Sequence, residues 1–293
     1  MEGGSFAAAA FFAVYEGHQE TVMWFSAVNE LLLFSFGLAA TICWLLAERS
    51  RWWQLSGVTL FALAILSKES AIVLLPLMLL IHPRVRLSLF PYLLLGCIAM
   101  ASIAQSRANS FRFSDGSSSV QAPFWLTLPH SLWRLLFPWG LVAVLILWRR
   151  KPEWRSYIQS LIWMVLALLP YSFLTYSTAI PSRQTYLASA GLAMLVGLAF
   201  VLLRKRNPRL TTALAVLAIV VNMSYVWTKK RGQFLARAAP TESLIYSLAS
   251  TDKPVNAACF PLIRIVAEDT VRFTLPDAVD RLVWKPEDCP AKR

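Results

Sequence analysis

Residues 187–203, LASAGLAMLVGLAFVLL, form an apolar stretch with the composition of a membrane-spanning helix. The stretch follows the polar cluster 182–186 (SRQTY) and ends at Arg204, Lys205 and Arg206. The chain is 57% hydrophobic, with a mean hydropathy of +0.54. Further apolar runs lie at approximately 5–15, 31–47, 54–67, 71–81, 87–104, 131–148, 156–175 and 210–227. These runs predict an all-α polytopic membrane protein with about eight spans and a partial first one.

The basic residues of the loops predict the orientation in the membrane. When 54–67 and 71–81 are counted as two spans, most basic loop residues fall on one side. The positive-inside rule makes that side cytoplasmic, and one span over 54–81 would leave a weaker bias. The formal net charge of +12 lies at the ends of apolar runs. It therefore agrees with a bilayer as the partner, and nucleic acid is not expected to bind.

Three polar clusters fall on the opposite, exoplasmic side: residues 18–20, 68–70 and 182–186. Charged groups at the ends of membrane helices are costly to keep there, so their convergence on one face predicts a functional site. The loop 105–130 belongs to the same side. Within this loop, the short apolar stretch 124–129 is expected to lie along the membrane interface.

The chain after residue 227 has a different pattern. Residues 241–250 predict a helix with Thr241 as its N-cap. Three further segments predict short strands, namely 255–260, 271–275 and 281–284. The sequence therefore divides into a membrane domain, 1–227, and a small exoplasmic α/β tail, 228–293.

The four cysteines fall into two pairs. Cys43 and Cys97 lie inside apolar runs and are expected to be small core residues. Cys259 and Cys289 both lie in the tail. If the tail faces an oxidising compartment, these two are placed to form one disulfide. The cysteine spacing is not that of a metal site.

His18 and Glu20 stand at the mouth of the run that begins near residue 31. Glu20 has the chemistry of a general base, a metal ligand or an acceptor for sugar hydroxyl groups, and His18 is able to share a proton or a metal with it. Glu30 lies further into the membrane. The alternative is that these residues form only a solvated loop or a helix cap.

Lys68 and Arg183 are the cations of the other two clusters. A lysine ammonium suits a phosphate as a compact charge, and a guanidinium holds two phosphate oxygens at once. Glu69 follows Lys68, and Tyr186 lies three residues after Arg183, on the same helical face. The alternatives are a locally paired lysine at the membrane surface and an interfacial Arg/Tyr anchor. Together the clusters suit a lipid-linked phosphate.

At these residues the sequence resembles the GT-C class of polyprenyl-phosphate-sugar-dependent glycosyltransferases, and within it the transmembrane, tetratricopeptide-bearing O-mannosyltransferases. A stretch of that branch, H-x-E-x-V-x-W-x-S, is matched by His18, Glu20, Val22, Trp24 and Ser26, followed by Glu30 and Leu31. L-S-K-E-S-A occurs at residues 66–71, and residues 182–191 are similar to E-R-Y-L-Y-L-P-S-A-G. The resemblance covers about residues 5–203.

The resemblance implies a GT-C-like helical bundle and roles for the site residues. Lys68 and Arg183 would bind the donor phosphate, and His18 and Glu20 would line the catalytic cavity. Tyr186 would orient the donor or the acceptor. Glu69 would position Lys68.

The sequence also departs from that branch. Its His-Pro pair is replaced by Tyr15 and Glu16, and its Arg after Ser-Gly by Val28. The catalytic acid of the class lies in a first exoplasmic loop, which we expect to precede residue 1. The chain is therefore expected to be either a truncated enzyme or a relative that has lost this acid. No tetratricopeptide array follows the last run.

We expect a membrane glycosyltransferase that transfers a sugar from a polyprenyl-phosphate donor to a protein or glycan acceptor. Its active face would be exoplasmic, in a bacterial inner membrane or an ER-type membrane. Two alternatives are a non-catalytic polyprenyl-phosphate-binding or accessory subunit, and a transporter or flippase for lipid-linked substrates. A divalent cation is a possible cofactor, for which His18 and Glu20 alone supply too few ligands.

Overall fold

The computed structural model describes residues 2–23, 27–82, 87–106, 119, 121–148, 154–175, 177–258, 260 and 264–285. Over these residues the chain is almost entirely helical. It divides into two compact units, Met1–Met223 and Ser224–Arg293. The predicted all-α architecture is therefore confirmed for the described part.

The first unit is a helical bundle. Its described α-helices are α1 Glu2–Val14, α2 Gln19–Met23, α3 Val28–Leu46, α4 Arg51–Ser67, α5 Leu74–Ile81, α6 Phe90–Ser106, α7 Phe124–Leu136, α8 Trp139–Leu147, α9 Trp154–Leu168, α10 Tyr186–Arg206 and α11 Pro208–Tyr225. Short 3-10 helices connect several of them, at Glu16–His18, Glu69–Val73, Leu87–Leu89, Leu169–Tyr171 and Ser182–Thr185.

Three of the described helical segments are long and apolar enough to cross a membrane: Val28–Leu46, Ser182–Arg206 and Pro208–Ala236. The bent pair α7 and α8 would make a fourth if both helices belong to one span. Other apolar helices, such as Phe90–Gln105, are shorter than the roughly 20 residues of a perpendicular span. The helices thus indicate a membrane protein, whereas the predicted count of spans stays a prediction.

Two apolar runs are interrupted. Helix α4 ends at Ser67, and Lys68 has an extended backbone with φ −163° and ψ 135°. Residues 54–81 are therefore two helical segments, not one continuous helix. The run 131–148 was predicted as one span. It is not one continuous helix, because α7 and α8 meet at an angle of 81°. Pro138 lies at this break, where its missing N–H and its ring prevent a helix from continuing.

Helix α10 is the centre of the first unit. It packs against α1, α8 and α9, and small residues allow the close approach. A Cβ atom on Gly197 would lie 2.6 Å from the carbonyl oxygen of Gly4 and 2.8 Å from the Cβ of Ala8. Small residues at helix contacts are typical of membrane bundles. The same helix carries Ser189 near its first turn, so this packing also positions the site.

The second unit contains α12 (Arg231–Ser250), β1 (Val255–Asn256), α13 (Arg264–Thr274) and β2 (Leu282–Val283). The two strands pair in parallel, with Val255 opposite Leu282. Apolar side chains of both helices form a small core with residues of the connecting segments.

Two predictions for the tail are wrong. Residues 271–275 were expected to be a strand, but 271–274 belong to α13. Ala267 and Val271 are four residues apart and both are buried, which is the spacing of one helical face. Thr241 lies inside α12 instead of capping a helix, although Pro240 precedes it. Cys259 and Cys289 lie outside the described residues, so their disulfide stays a prediction.

Candidate functional site

A buried ion pair joins the end of α4 to the beginning of α3. The Lys68 ammonium contacts the Glu30 carboxylate, and the side chains are only 7% and 3% exposed, respectively. Lys68 reaches this position because it terminates α4, which packs along α3. Glu30 lies in the first turn of α3, where the helix dipole favours a negative charge. Each charge compensates the burial of the other.

Tyr171 and Ser70 complete this centre, which we call the Lys68 centre. The Tyr171 hydroxyl donates to the Glu30 carboxylate, with 3.3 Å between the Tyr171 oxygen and Oε2. The Ser70 Oγ lies 2.7 Å from the same hydroxyl oxygen. The Lys68 Nζ stands 4.7 Å from the centroid of the Tyr171 ring, which adds a cation–π contact. The four residues therefore hold one another in a fixed arrangement.

Two partners of Lys68, Glu30 and Tyr171, were not predicted from the sequence. The buried carboxylate on the Lys68 ammonium belongs to Glu30. The positioning role of Glu69, whose side chain is exposed, stays a prediction. Tyr171 lies in the apolar run 156–175 and carries no charge, so its hydroxyl is the one feature in the sequence that indicates a site residue. A buried tyrosine usually finds a hydrogen-bond partner, and this rule is the signal that could have identified it.

The first and third clusters meet, as the span count predicted. The Ser182 hydroxyl donates to Glu20 Oε2, and the Arg183 backbone N–H donates to the same oxygen over 3.4 Å. In return, Thr21 Oγ1 donates to the Arg183 carbonyl oxygen over 3.0 Å. Glu20 therefore fixes the 3-10 turn Ser182–Thr185, which carries the Arg183 side chain. We call this arrangement the Glu20 centre.

His18 is buried beside the Glu20 centre, with 7% of its surface exposed. Its Nε2 lies 2.6 Å from Ser189 Oγ. Its ring packs against Phe12 and Tyr186, with ring centroids 4.2 Å and 4.5 Å apart. Burial lowers the pKa of His18 from 6.5 to about 4, and a hydrogen bond with the Phe12 backbone opposes this shift only in part. The imidazole is therefore neutral at pH 7.

Aromatic rings connect the two centres. Phe34 stacks on Phe12, with 5.0 Å between centroids, and meets Tyr186 edge-on at 5.2 Å. Glu30 and Phe34 are four residues apart on α3 and share a helical face. The Lys68 centre thus lies about one helical turn, roughly 6 Å along the axis, from these rings. The structure brings His18, Glu20, Arg183 and Tyr186 together and connects Lys68 to them through α3.

An apolar groove runs between α1, α8, α10 and α11. Its cavity has a volume of about 240 Å³, and Thr211 is the polar residue among the apolar side chains that line it. The residues of α1 that line the groove extend from Phe6 to Val14. The 3-10 turn Glu16–His18 begins two residues after Val14. At this end, the Glu16 N–H donates to Asn222 Oδ1 over 3.1 Å. The groove therefore leads towards the turn that carries His18.

Metal ligands are not grouped in the described part of the chain. No set of three or more His, Cys, Asp or Glu side chains is placed there to hold a metal ion. Trp24 and Ser26, which belong to the resemblance, lie outside the described residues, as do residues 107–118 of the loop 105–130.

Comparison with protein-family models, curated proteins and solved structures finds no match to this chain.

Replacing His18 tests its burial in the neutral form. Between about pH 6.5 and pH 4, the unfolded chain binds a proton at His18 that the folded protein excludes, so stability falls as the pH falls. At pH 5 this loss amounts to about 2 kcal/mol. We expect His18→Gln to lose less stability than the wild type between pH 7.5 and pH 5, measured as the midpoint of thermal unfolding in detergent. His130→Gln, at an exposed histidine, is the control. Equal losses in all three proteins would contradict a neutral, buried His18.

Proposed function

We propose that this protein is a membrane glycosyltransferase that uses a polyprenyl-phosphate-linked sugar as its donor. The observation that carries the proposal is the combination, within one unit, of two cation-bearing centres and an apolar groove that leads towards the turn carrying His18. A polyprenyl-phosphate sugar has matching parts: an apolar chain, a phosphate and a polar sugar. The resemblance of residues 5–203 to GT-C enzymes supports the same substrate class.

The phosphate would bind where Lys68 now contacts Glu30. The Glu30 carboxylate occupies the place of an anion on the Lys68 ammonium. A phosphate that binds Lys68 must displace or share this carboxylate, and the Tyr171 hydroxyl is positioned to keep its hold on Glu30. Arg183 would contribute the second cation, on a turn fixed by Glu20. Two cations would stabilise the charge of the departing polyprenyl phosphate.

The other site residues suit binding and positioning. Glu20 accepts hydrogen bonds from Ser182 and from the Arg183 backbone, so its role is to hold the phosphate-binding turn. His18 is neutral and lies beside the Tyr186 ring, which suits contact with uncharged sugar hydroxyl groups. We do not assign Glu20 or His18 as the base that deprotonates the acceptor.

A transfer assay tests the phosphate-binding roles. In membranes supplied with a labelled polyprenyl-phosphate sugar, we expect Lys68→Ala and Arg183→Ala each to reduce transfer at least about tenfold, because each loses a charged contact worth about 1.5–3 kcal/mol. Lys205→Ala, at the opposite end of α10, is the control and should keep wild-type transfer.

The Lys68→Ala variant leaves Glu30 buried without its cation, which costs about 3–5 kcal/mol and endangers folding. The double variant Lys68→Met/Glu30→Leu removes both charges and is expected to fold. It should transfer as poorly as the single variant. Wild-type transfer by this folded double variant would contradict the proposed phosphate site.

A non-catalytic polyprenyl-phosphate-binding subunit is the second candidate. It is favoured by the hydrogen bonds of Glu20 and Glu30, because both carboxylates already hold parts of the protein. Lys68-dependent binding of a polyprenyl phosphate without any transfer of label would support this candidate over the enzyme.

Filling the groove tests the position of the polyprenyl chain. Ala215 lines the groove, and the neighbouring Val216 is exposed and does not belong to the lining. We expect Ala215→Trp to weaken binding of a long-chain polyprenyl phosphate, because the indole occupies the space of the chain, while Val216→Trp binds normally. The measurement is equilibrium binding in detergent. Equal affinities of the two variants would place the chain elsewhere.

A further inference from the structure

Helix α7, Phe124–Leu136, differs from the other helices of the first unit in having three distinct faces. It ends where α8 turns away by 81°. Residues that are four positions apart lie on the same helical face, so the burial of each residue identifies the faces directly. The sequence predicts an interfacial position only for residues 124–129, whereas the helix continues to Leu136.

The inner face of α7 holds the chain that leads into the Glu20 centre. Thr127, Ser131 and Leu135 are buried at intervals of four residues. Ser131 Oγ accepts a hydrogen bond from the Ile180 backbone N–H over 2.9 Å. His130 Nδ1 lies 3.1 Å from the Thr178 carbonyl oxygen. Residues 178–180 directly precede the turn Ser182–Thr185, so α7 fixes the approach to that turn.

The outer face is apolar and aromatic. Trp125, Pro129 and Trp133 follow one another at intervals of four residues, and the two tryptophans are 60% and 56% exposed. Phe137 continues the row after the helix ends and is also exposed. Tryptophans are enriched at the level of lipid head groups, where one side of the ring is wet and the other apolar. The outer face therefore has the composition of a surface that contacts lipid.

The third face is polar and carries the cation of Arg134. His130 and Arg134 are both exposed and are also four residues apart, beside the aromatic row. If α7 crossed the hydrocarbon as half of a broken span, Arg134 would have to enter the membrane, at a cost of about 2.5–3.5 kcal/mol near the centre. A helix in the plane of the interface avoids this cost, because its apolar face enters the acyl region while its cationic side remains at the lipid phosphates.

We propose that α7 is an interfacial helix that lies in the bilayer surface and binds anionic lipid through its cationic face. Trp125 and Trp133 anchor it at the boundary between head groups and acyl chains. Because Ser131 and His130 hold residues 178–180, the bilayer surface sets the position of the turn that carries Arg183. This proposal does not depend on the proposed transferase activity, since it concerns only the membrane contact and the loop.

Depth measurements by spin labelling test the orientation of α7. The four cysteines are replaced, and one nitroxide label is placed at residue 125, 130 or 133 of the protein in vesicles of phosphatidylcholine and phosphatidylglycerol. We expect labels at 125 and 133 to collide more with oxygen than with a water-soluble nickel complex, and to lie at the same depth. The label at 130 should favour the nickel complex.

Three outcomes would overturn the proposal. In a broken span, residues 125 and 133 would differ in depth by up to about 12 Å, the rise of eight helical residues. Access of the nickel complex to both labels would mean that water or a protein partner, and not lipid, faces the aromatic row. Vesicles without phosphatidylglycerol provide the third comparison. Binding of anionic lipid predicts that a label at residue 126, an exposed position one helical turn before His130, is less mobile when this lipid is present. Unchanged mobility would contradict the cationic contact.

The link from α7 to the loop is tested separately. Ser131→Ala removes the acceptor of the Ile180 N–H, so a label at residue 178 should become more mobile. Ser102→Ala, on α6, is the matched control. Like Ser131, Ser102 donates a hydrogen bond to the carbonyl oxygen four residues earlier in its helix. Equal mobility of the label in both variants would show that α7 does not hold the loop.

Discussion

The buried contact between Lys68 and Glu30 is the constraint on which the site depends. Two charges removed from water are tolerated only when they face each other, and the loss of one partner costs about 3–5 kcal/mol. Lys68 can face Glu30 because α4 ends at Ser67. The pair therefore fixes the end of α4 against the beginning of α3. Tyr171, which arrives from the end of α9, is held to the same pair by its hydroxyl and its ring.

The contact between Lys68 and Glu30 matters both for the packing of the helices and for the chemistry of the site. The Lys68 ammonium is a structural element through its contact with Glu30, and in the proposed function it is also the place where the donor phosphate binds. The Glu20 carboxylate has a different function, because it binds the turn that carries Arg183 and so orders a second cation. His18 contributes a neutral polar group beside the Tyr186 ring. The arrangement suits a ligand with one anionic group, an apolar chain and uncharged hydroxyl groups.

The sequence predicted more of the site than of the fold's details. The predicted number of spans between them put the clusters of His18 and Arg183 on the same side of the membrane. The structure brings these clusters into contact, because Glu20 binds the backbone of the turn Ser182–Thr185. Tyr171 was not predictable from charge, since a neutral residue in an apolar run leaves no such signal. The break between α7 and α8 was not predicted, because apolar composition alone does not show where the helix axis bends. Pro138 marks the position of this break. Residues 271–275 were misassigned because a β-branched, aromatic segment fits a strand as well as the face of a short helix.

Affinity for a short-chain polyprenyl phosphate, compared between the wild type and Glu30→Gln, tests most directly whether Glu30 occupies an anion site on Lys68. The glutamine keeps the size of the side chain and its hydrogen bond with Tyr171 but removes the negative charge of Glu30 from the Lys68 ammonium. We expect Glu30→Gln to bind the lipid phosphate at least about tenfold more tightly than the wild type, a gain of about 1.4 kcal/mol. The same lipid should also raise the unfolding temperature of the variant more than that of the wild type. If the folded variant binds the lipid phosphate no better than the wild type, Lys68 is a structural partner of Glu30 and not the phosphate site.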